Sequence, residues 1–477
     1  MKNTTNMFSS MKELENIQNA QTTLNYVSQT NNIRKGNHKL ILNFKSQLSK
    51  DILDASKKIE LGDWKISDNN TTYIIKNHNA HITKYDFYCL NDQDIEIEIS
   101  ALDDQRITNE ETFLRLIQPI NREFWVFYIQ RQTIQTDSTK HEEFIPIKFP
   151  KGEIHVYSSY STIFGGKYLI IEPQYKTNKD DLIKIQYSIA MGFGMITGYA
   201  PFDEFYIVSS NNLDFQNIIG CSFSSMRDSI NSFYFSFSTN IWMLKDKVSK
   251  GKYNSYTQTQ LKTMTSIDEL NSDEYSPIFL NLYNNEDFAR AVMILIDNTT
   301  AALDFQTAIF GVALETITTQ LQKVNNTKIG TIIEKSVWSK IHDTTITTFE
   351  NNIKTELDST TISNEEKTEI IRRMKSKFNN LNQKSNLEKF IILIEATGVK
   401  LSKRDKEILD QRNRLLHGNM TTGDNTIDNA FYYAASLFSI CMRTLFRQFG
   451  YKRYLVNIPI FYDFEKACID KEQLLLQ

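Results

Sequence analysis

Cysteine, glycine and proline are all scarce in this chain of 477 residues. The four cysteines, Cys89, Cys221, Cys441 and Cys468, lie far apart and form no Cys-x-x-Cys knuckle. Neither a zinc ribbon nor a disulfide framework is indicated, and such usage suits a reducing cytosol. Sixteen glycines and seven prolines fall well short of average usage, about 7% and 5%, which excludes collagen-like and Gly/Pro low-complexity architectures. An excess of either charge is missing too. The net charge is −3, so no global basic field exists to hold a polyanion, and any nucleic-acid contact must come from a local patch. A long uninterrupted apolar run is also lacking. The most apolar stretch, residues 182–200, is broken by Lys184, Gln186, Ser188 and three glycines, and reads as a buried element rather than a membrane span. The opening MKNTTNMFSSMKELENIQNAQ has no apolar h-region and does not read as a signal peptide. The expectation is a cytoplasmic protein with no membrane partner.

What the chain does have is apolar surface. Forty per cent of its residues are hydrophobic, which excludes a wholly disordered chain, and its length suits two to four domains of about 100–200 residues each. The Asn-, Gln- and Thr-rich first 35 residues read as a mobile or partly helical lead-in. From there to about residue 210 the text is mostly strand-like: KLILNF (39–44), TTYIIKN (71–77), DIEIEIS (94–100), EFWVFYIQ (123–130), EIHVYSS (153–159), KYLIIEPQY (167–175) and EFYIVSS (204–210). DIEIEIS has the cleanest period of two, predicting one buried and one wet face. The length of 182–200 favours a buried helix over a strand, with Asp180 and Asp181 where a helix N-terminus welcomes acid. Residues 214–240 carry no assignable pattern.

From about residue 250 the period changes. Phe288, Ala291, Val292, Leu295 and Ile296 mark one helical face. Helices are expected over 301–322, over 363–381 behind a capping-box-like Ser363-Asn-Glu-Glu366, over 386–398, and over 428–450, which reads as the central helix of a bundle. The fold class is α+β: a β-rich N-terminal region followed by an all-α helical bundle. The expected divisions are a lead-in at 1–35, a β-rich sensor or regulatory domain at 36–245, a linker at 246–275, the bundle at 276–455 and a tail at 456–477.

One segment carries chemistry, LSKRDKEILDQRNRLLHGNM (401–420). Ser402 and Asp405 can cap a helix, Ile408, Leu409, Leu415 and Leu416 supply its buried stripe, and Gly418 is a natural C′ residue. The helix should therefore stop at or just before His417, whose imidazolium form the terminal carbonyls favour. Arg412 precedes His417 by five residues, about 140° around an ideal helix. The two side chains converge only if the helix unwinds at His417 or a second copy of the chain brings its own pair alongside. Residues 400–414 hold more basic than acidic groups, a local positive excess on an acidic chain.

Arg412-Asn413-Arg414-Leu415-Leu416-His417-Gly418 resembles the signature of the HEPN superfamily, an Arg followed by four to six residues and a His at a helix end in a small bundle, often with Asn after the Arg. The resemblance covers about 280–450; the long helix expected to hold Leu314 and Glu315, and the apolar helix after the motif, are placed as in the Apea-like HEPN domains of anti-phage proteins. It implies a metal-independent endoribonuclease at a homodimer interface, without cofactor or metal, in an abortive-infection role. Arg412 and His417 would be catalytic. Asn413, Arg414 and Glu315 would support them or bind RNA. The N-terminal half would then answer a phage-derived or cellular trigger. The alternative within the same resemblance is a non-catalytic dimerisation or nucleotide- or RNA-binding module, with the N-terminal domain recognising a phage or cellular trigger.

Plainer readings stand beside these. His417 could simply cap terminal carbonyls, Arg412 could pair with Asp410 or Glu407, and Glu315 could be an ordinary boundary residue. Arg372, Arg373, Lys375 and Lys377 read as a wet helix face. His78 and His81 lack the partners of a metal site. Phe164-Gly165-Gly166-Lys167 lacks the layout of a P-loop and reads as a hairpin turn. Gly192-x-Gly194 lacks the rest of a dinucleotide fingerprint and reads as helix packing.

Overall fold

In the computed structural model, residues 4–17, 20–24, 27–46, 64–67, 71–76, 80–84, 93–107, 110–120, 129–137, 140–234, 236, 259, 269–416, 426–453, 455–459 and 475–476 are described. β-branched and aromatic runs build one antiparallel sheet. Its strands are β1 (Ala20–Leu24), β2 (Val27–Lys35), β3 (Leu40–Ser46), β4 (Trp64–Ser67), β5 (Thr72–Ile75), β6 (Ala80–Lys84), β7 (Gln93–Ile99), β8 (Ala101–Asp104), β9 (Phe113–Pro119), β10 (Gln132–Asp137), β11 (Lys140–Phe149), β12 (Gly152–Ser161), β13 (Gly166–Pro173), β14 (Asp203–Ser210) and β15 (Ile218–Arg227). The order is β10-β11-β12-β13-β9-β14-β15-β8-β5-β4-β1-β2-β3-β7-β6. β12 and β13 form a hairpin with Ser161 opposite Gly166, turned by Gly165 at φ +67, as Phe164-Gly-Gly-Lys167 predicts. In β7, Ile97 and Ile99 are buried while Glu96 and Glu98 are half-exposed, the expected alternation. The proposed strand at 123–130 lies almost wholly outside the described residues. β15 falls in the stretch that has no readable pattern.

Period-two alternation gives the sheet two apolar faces. Tyr168 and Ile170 of β13, with Tyr206 and Val208 of β14, lie in one core cluster. Leu169, Ile171, Phe205 and Ile207, one residue along, lie in the other. The first face is covered by α1 (Thr4–Glu15), which buries Met7, Phe8, Met11 and Leu14. The opening segment, expected as a mobile or partly helical lead-in, is thus helical in part and strand (β1, β2) thereafter, because its few apolar residues fall on one helical face.

The second face is covered by helices. α2 (Lys179–Thr197) is capped by Asn178, whose side chain accepts from the Asp181 amide, and ends at Gly198 with φ +76. α3 (Ser272–Asn284) and α4 (Glu286–Asp297) pack on it. Gly192 and Gly194 permit this approach. A Cβ on Gly192 would stand under 3 Å from the Phe279 ring of α3, and one on Gly194 under 3 Å from the Ile296 side chain of α4. These glycines serve helix packing, as expected.

The helical half continues with α5 (Leu303–Val324), α6 (Lys335–Asp358), α7 (Asn364–Asn379), α8 (Asn386–Glu395), α9 (Lys403–Leu416) and α10 (Thr426–Gln448). The centre is α5, on which α4, α8, α9 and α10 all pack. The helix expected to be central, α10, is its most extensive neighbour. Ser363 caps α7 through the Glu366 amide. The chain is α+β, sheet first and helices second. One apolar cluster runs without a break from Leu116 and Ile171 of the sheet through Phe193 of α2 to Leu314 of α5 and Phe438 of α10. The expected linker at 246–275 is described only at residue 259 and from 269 onward. Among the described residues no helix is long and apolar enough to cross a membrane.

Candidate functional site

The motif helix α9 begins as its residue chemistry dictates. The Ser402 hydroxyl accepts from the Asp405 amide (3.0 Å), and the Asp405 carboxylate accepts from the Ser402 amide (2.9 Å). This reciprocal cap satisfies two amides that a helix start otherwise leaves open. Ile408 and Leu409 are buried and seat the helix on α5 and α10.

Asp405 does a second job. Its other oxygen, Oδ1, lies 3.0 Å from the Arg443 guanidinium of α10, whose side chain is 3% exposed. One carboxylate therefore caps the motif helix and neutralises a buried cation on the helix behind it. Lys406 pairs with Glu395 of α8 at 3.2 Å. Three helices thus fix the angle at which α9 presents its last two turns.

Those turns carry Arg412, Asn413 and Arg414, and the helix is described as far as Leu416; the expected stop at His417 lies outside the described residues. The side chains of Arg412, Asn413 and Arg414 lie outside the described residues, as do His417 and Gly418 altogether. Glu315 sits on α5, against which α9 packs, and is exposed. The convergence of Arg412 with His417, and of Glu315 with Arg412, remains an expectation.

The described part of α9 adds a feature that the sequence reading misses. A groove of about 370 Å³ runs between α9 and α10, lined by Lys403, Arg404, Glu407, Ile408, Gln411, Tyr432 and Tyr433. The Arg404 guanidinium lies over the Tyr432 ring, 3.9 Å from its centroid, a cation–π stack. Gln411 immediately precedes Arg412, and Arg404 lies two helical turns back, about 12 Å along the axis at 1.5 Å per residue. The groove therefore leads toward the motif. Its signals were visible, a Tyr-Tyr pair in an apolar helix and a cluster of cations on α9, but their meeting is tertiary.

Elsewhere the plain readings describe what is seen. Arg372 and Arg373 both pair with Glu369, and Lys375 pairs with Glu350, the three cations exposed and the two carboxylates half-exposed. Glu369 is held well below the usual carboxylate range, at about 2, by the two arginines. His81 lies on β6 opposite Glu98, and His78 is outside the described residues. Among the described residues no group of three or more His, Cys, Asp or Glu side chains is placed to hold a metal ion.

No family model matches the chain, and no curated protein or solved structure matches it.

Proposed function

We propose that the chain is a metal-independent endoribonuclease of HEPN type that cuts RNA where two copies bring their motif helices together. The observation that carries this reading is the placement of Arg412-Asn413-Arg414 on the closing turns of a capped, three-way anchored helix, followed directly by His417-Gly418.

The chemistry needs little else. RNA supplies its own nucleophile, the 2′-hydroxyl. Its oxygen bonds to the adjacent phosphorus as the bond from phosphorus to the 5′-oxygen breaks. A base takes the 2′-proton and an acid protonates the departing 5′-oxygen. Histidine titrates near neutrality and can serve in either role, so the two copies of His417 can divide them. Arg412 stays protonated and can fork onto two phosphoryl oxygens as negative charge builds. Asn413 would hydrogen-bond the phosphate or orient the imidazole, Arg414 would add charge, and Glu315 would orient Arg412. The products are a 2′,3′-cyclic phosphate and a 5′-hydroxyl. The sheet region would bind a phage-derived or cellular trigger and hold the nuclease in check, in an abortive-infection role in the cytoplasm.

The test is cleavage of RNA by the full chain in EDTA, with candidate triggers present. The wild type should cut; His417→Ala should lose at least about a hundredfold in rate, the scale of a lost proton-transfer group, and Arg412→Ala about a hundredfold or more, the scale of a lost donor to transition-state charge. Equal cutting by His417→Ala would exclude the assigned role.

A second reading is favoured by the groove between α9 and α10. At about 370 Å³ with an Arg-on-Tyr stack, it falls within the size range of small-molecule sites. A chain that binds nucleotides there and never cuts would be a binding module.

A further inference from the structure

The groove between α9 and α10 has a chemical order along its length. On α9, Arg404 and Ile408 form one row, the first stacked on Tyr432 at 3.9 Å and the second buried. Beside them runs another row at a spacing of four, Lys403, Glu407 and Gln411, in which each residue follows the last by about 6 Å at 1.5 Å per residue. α10 contributes Tyr433, half-buried. The second row therefore reads cation, carboxylate, amide, with an aromatic ring on the α10 side. At about 370 Å³ the groove is at the small end of ligand sites, about 300–1,000 Å³, which suits one nucleotide rather than a strand.

An aromatic ring is a platform for any base, so Tyr433 does not choose among them. The row on α9 does. A carboxylate only accepts hydrogen bonds, and it takes two at once only from donors set side by side. Among the four bases of RNA only guanine offers that, with its ring N1–H next to its exocyclic N2 amine. Adenine and cytosine set an amine beside a ring acceptor, and uracil sets one N–H between two carbonyls, so each turns a lone pair on the carboxylate. Next to N1 on the same edge of guanine comes the O6 acceptor, and the Gln411 amide, one turn beyond Glu407, can donate there. The guanine amine shares its side of the ring with the ribose, so this orientation sends the 5′-phosphate back toward Lys403 and Arg404. Lys403 is 94% exposed, and its 3.9 Å contact with Glu407 is a surface ion pair of little worth, readily given up to a phosphate. Both cations lie in the first turn of α9, where the helix dipole also favours an anion.

We infer that the groove is a guanine-selective nucleotide site, in which Glu407 accepts from N1 and N2, Gln411 donates to O6 and Tyr433 stacks on the base. The inference rests on the reading that this groove takes a nucleotide, and it is independent of whether the chain cuts RNA.

The experiment is calorimetric titration of the full chain with the 5′-monophosphates of guanosine, inosine, adenosine, cytidine and uridine. None has a phosphodiester to cut, so binding is read apart from any nuclease activity. Guanosine monophosphate should bind about tenfold or more tighter than the other four, the scale of a hydrogen bond to a charged group. Inosine monophosphate differs from it only in lacking the N2 amine, so its deficit reports the carboxylate contact without any substitution in the protein. Glu407 is exposed, so Glu407→Gln leaves the core untouched. It should lose the lead of guanosine over inosine and keep the affinity for the other nucleotides. Tyr433→Ala should weaken all five about fivefold or more, as a lost stacking platform does. Equal affinity for guanosine and inosine monophosphates, or a Glu407→Gln protein that still separates them, would overturn the guanine assignment and leave a nucleotide site standing. Failure of all five to bind would overturn the groove reading and the inference with it.

Discussion

Two carboxylates show how much one side chain can carry. Asp405 caps α9 and neutralises Arg443 within the helical core. Asp405→Ala removes the cap and leaves a buried guanidinium without its counter-charge. Breaking such a pair from one side costs roughly 3–5 kcal/mol, to be read as a lowered urea midpoint. Glu15 behaves oppositely. Burial at the end of α1 raises its pKa, outweighing the hydrogen bond from Tyr206 and the charge of Lys35. A carboxyl that ionises less readily when folded contributes stability that is complete below its unfolded pKa and is lost as pH climbs through its folded one. Glu15→Gln, which keeps a hydrogen-bonding side chain without the charge, should therefore be at least as stable as wild type at neutral pH. The difference should vanish below about pH 4, which urea denaturation at the two pH values checks. Only one of these roles was legible beforehand. A cap is set by neighbours three residues apart, so Ser402 and Asp405 announce it. Arg443, 38 positions farther along, reads as an arginine near a helix end, and nothing local names its partner.

Among the elements, those with strong periods were readable and those held by distant partners were not. The alternation of Ile and Glu gives β7, and Phe288 to Ile296 gives α4. The buried helix at 182–200 is betrayed by its length, and its two glycines by their failure to fit a cofactor motif. Their use is a close crossing of α2 with α3 and α4. Gly192→Ala forces a methyl against the Phe279 ring and should cost about 1–3 kcal/mol of overpacking strain, measurable as a lowered melting temperature. By contrast, α6 carries Thr-Thr-Ile-Thr-Thr at 344–348, a β-branched run that argues for strand on local preference. Its helix shows only against α7. β15 was equally hidden, since its Ser-rich text gains meaning from β14 on one side and β8 on the other.

Over the whole molecule, the sheet and the helices share one apolar core, with α2 as the element common to both. An event on the sheet thus has a continuous packed route to α5, on which the motif helix sits. The start of the helix at Lys403 was legible because a cap is written in nearby residues. The joining of the two halves was not, because it is made by contacts more than a hundred positions apart, such as Tyr275 donating to the Pro146 carbonyl at 2.8 Å. If the chain cuts RNA as proposed, the ends of the fragments report it most directly. Cleavage products made by the full chain should be mapped for their terminal chemistry. Attack by the 2′-hydroxyl leaves a 2′,3′-cyclic phosphate upstream and a 5′-hydroxyl downstream, and both should disappear with His417→Ala. Fragments ending in a 3′-hydroxyl and a 5′-phosphate would mean that water was the nucleophile and would contradict the assignment.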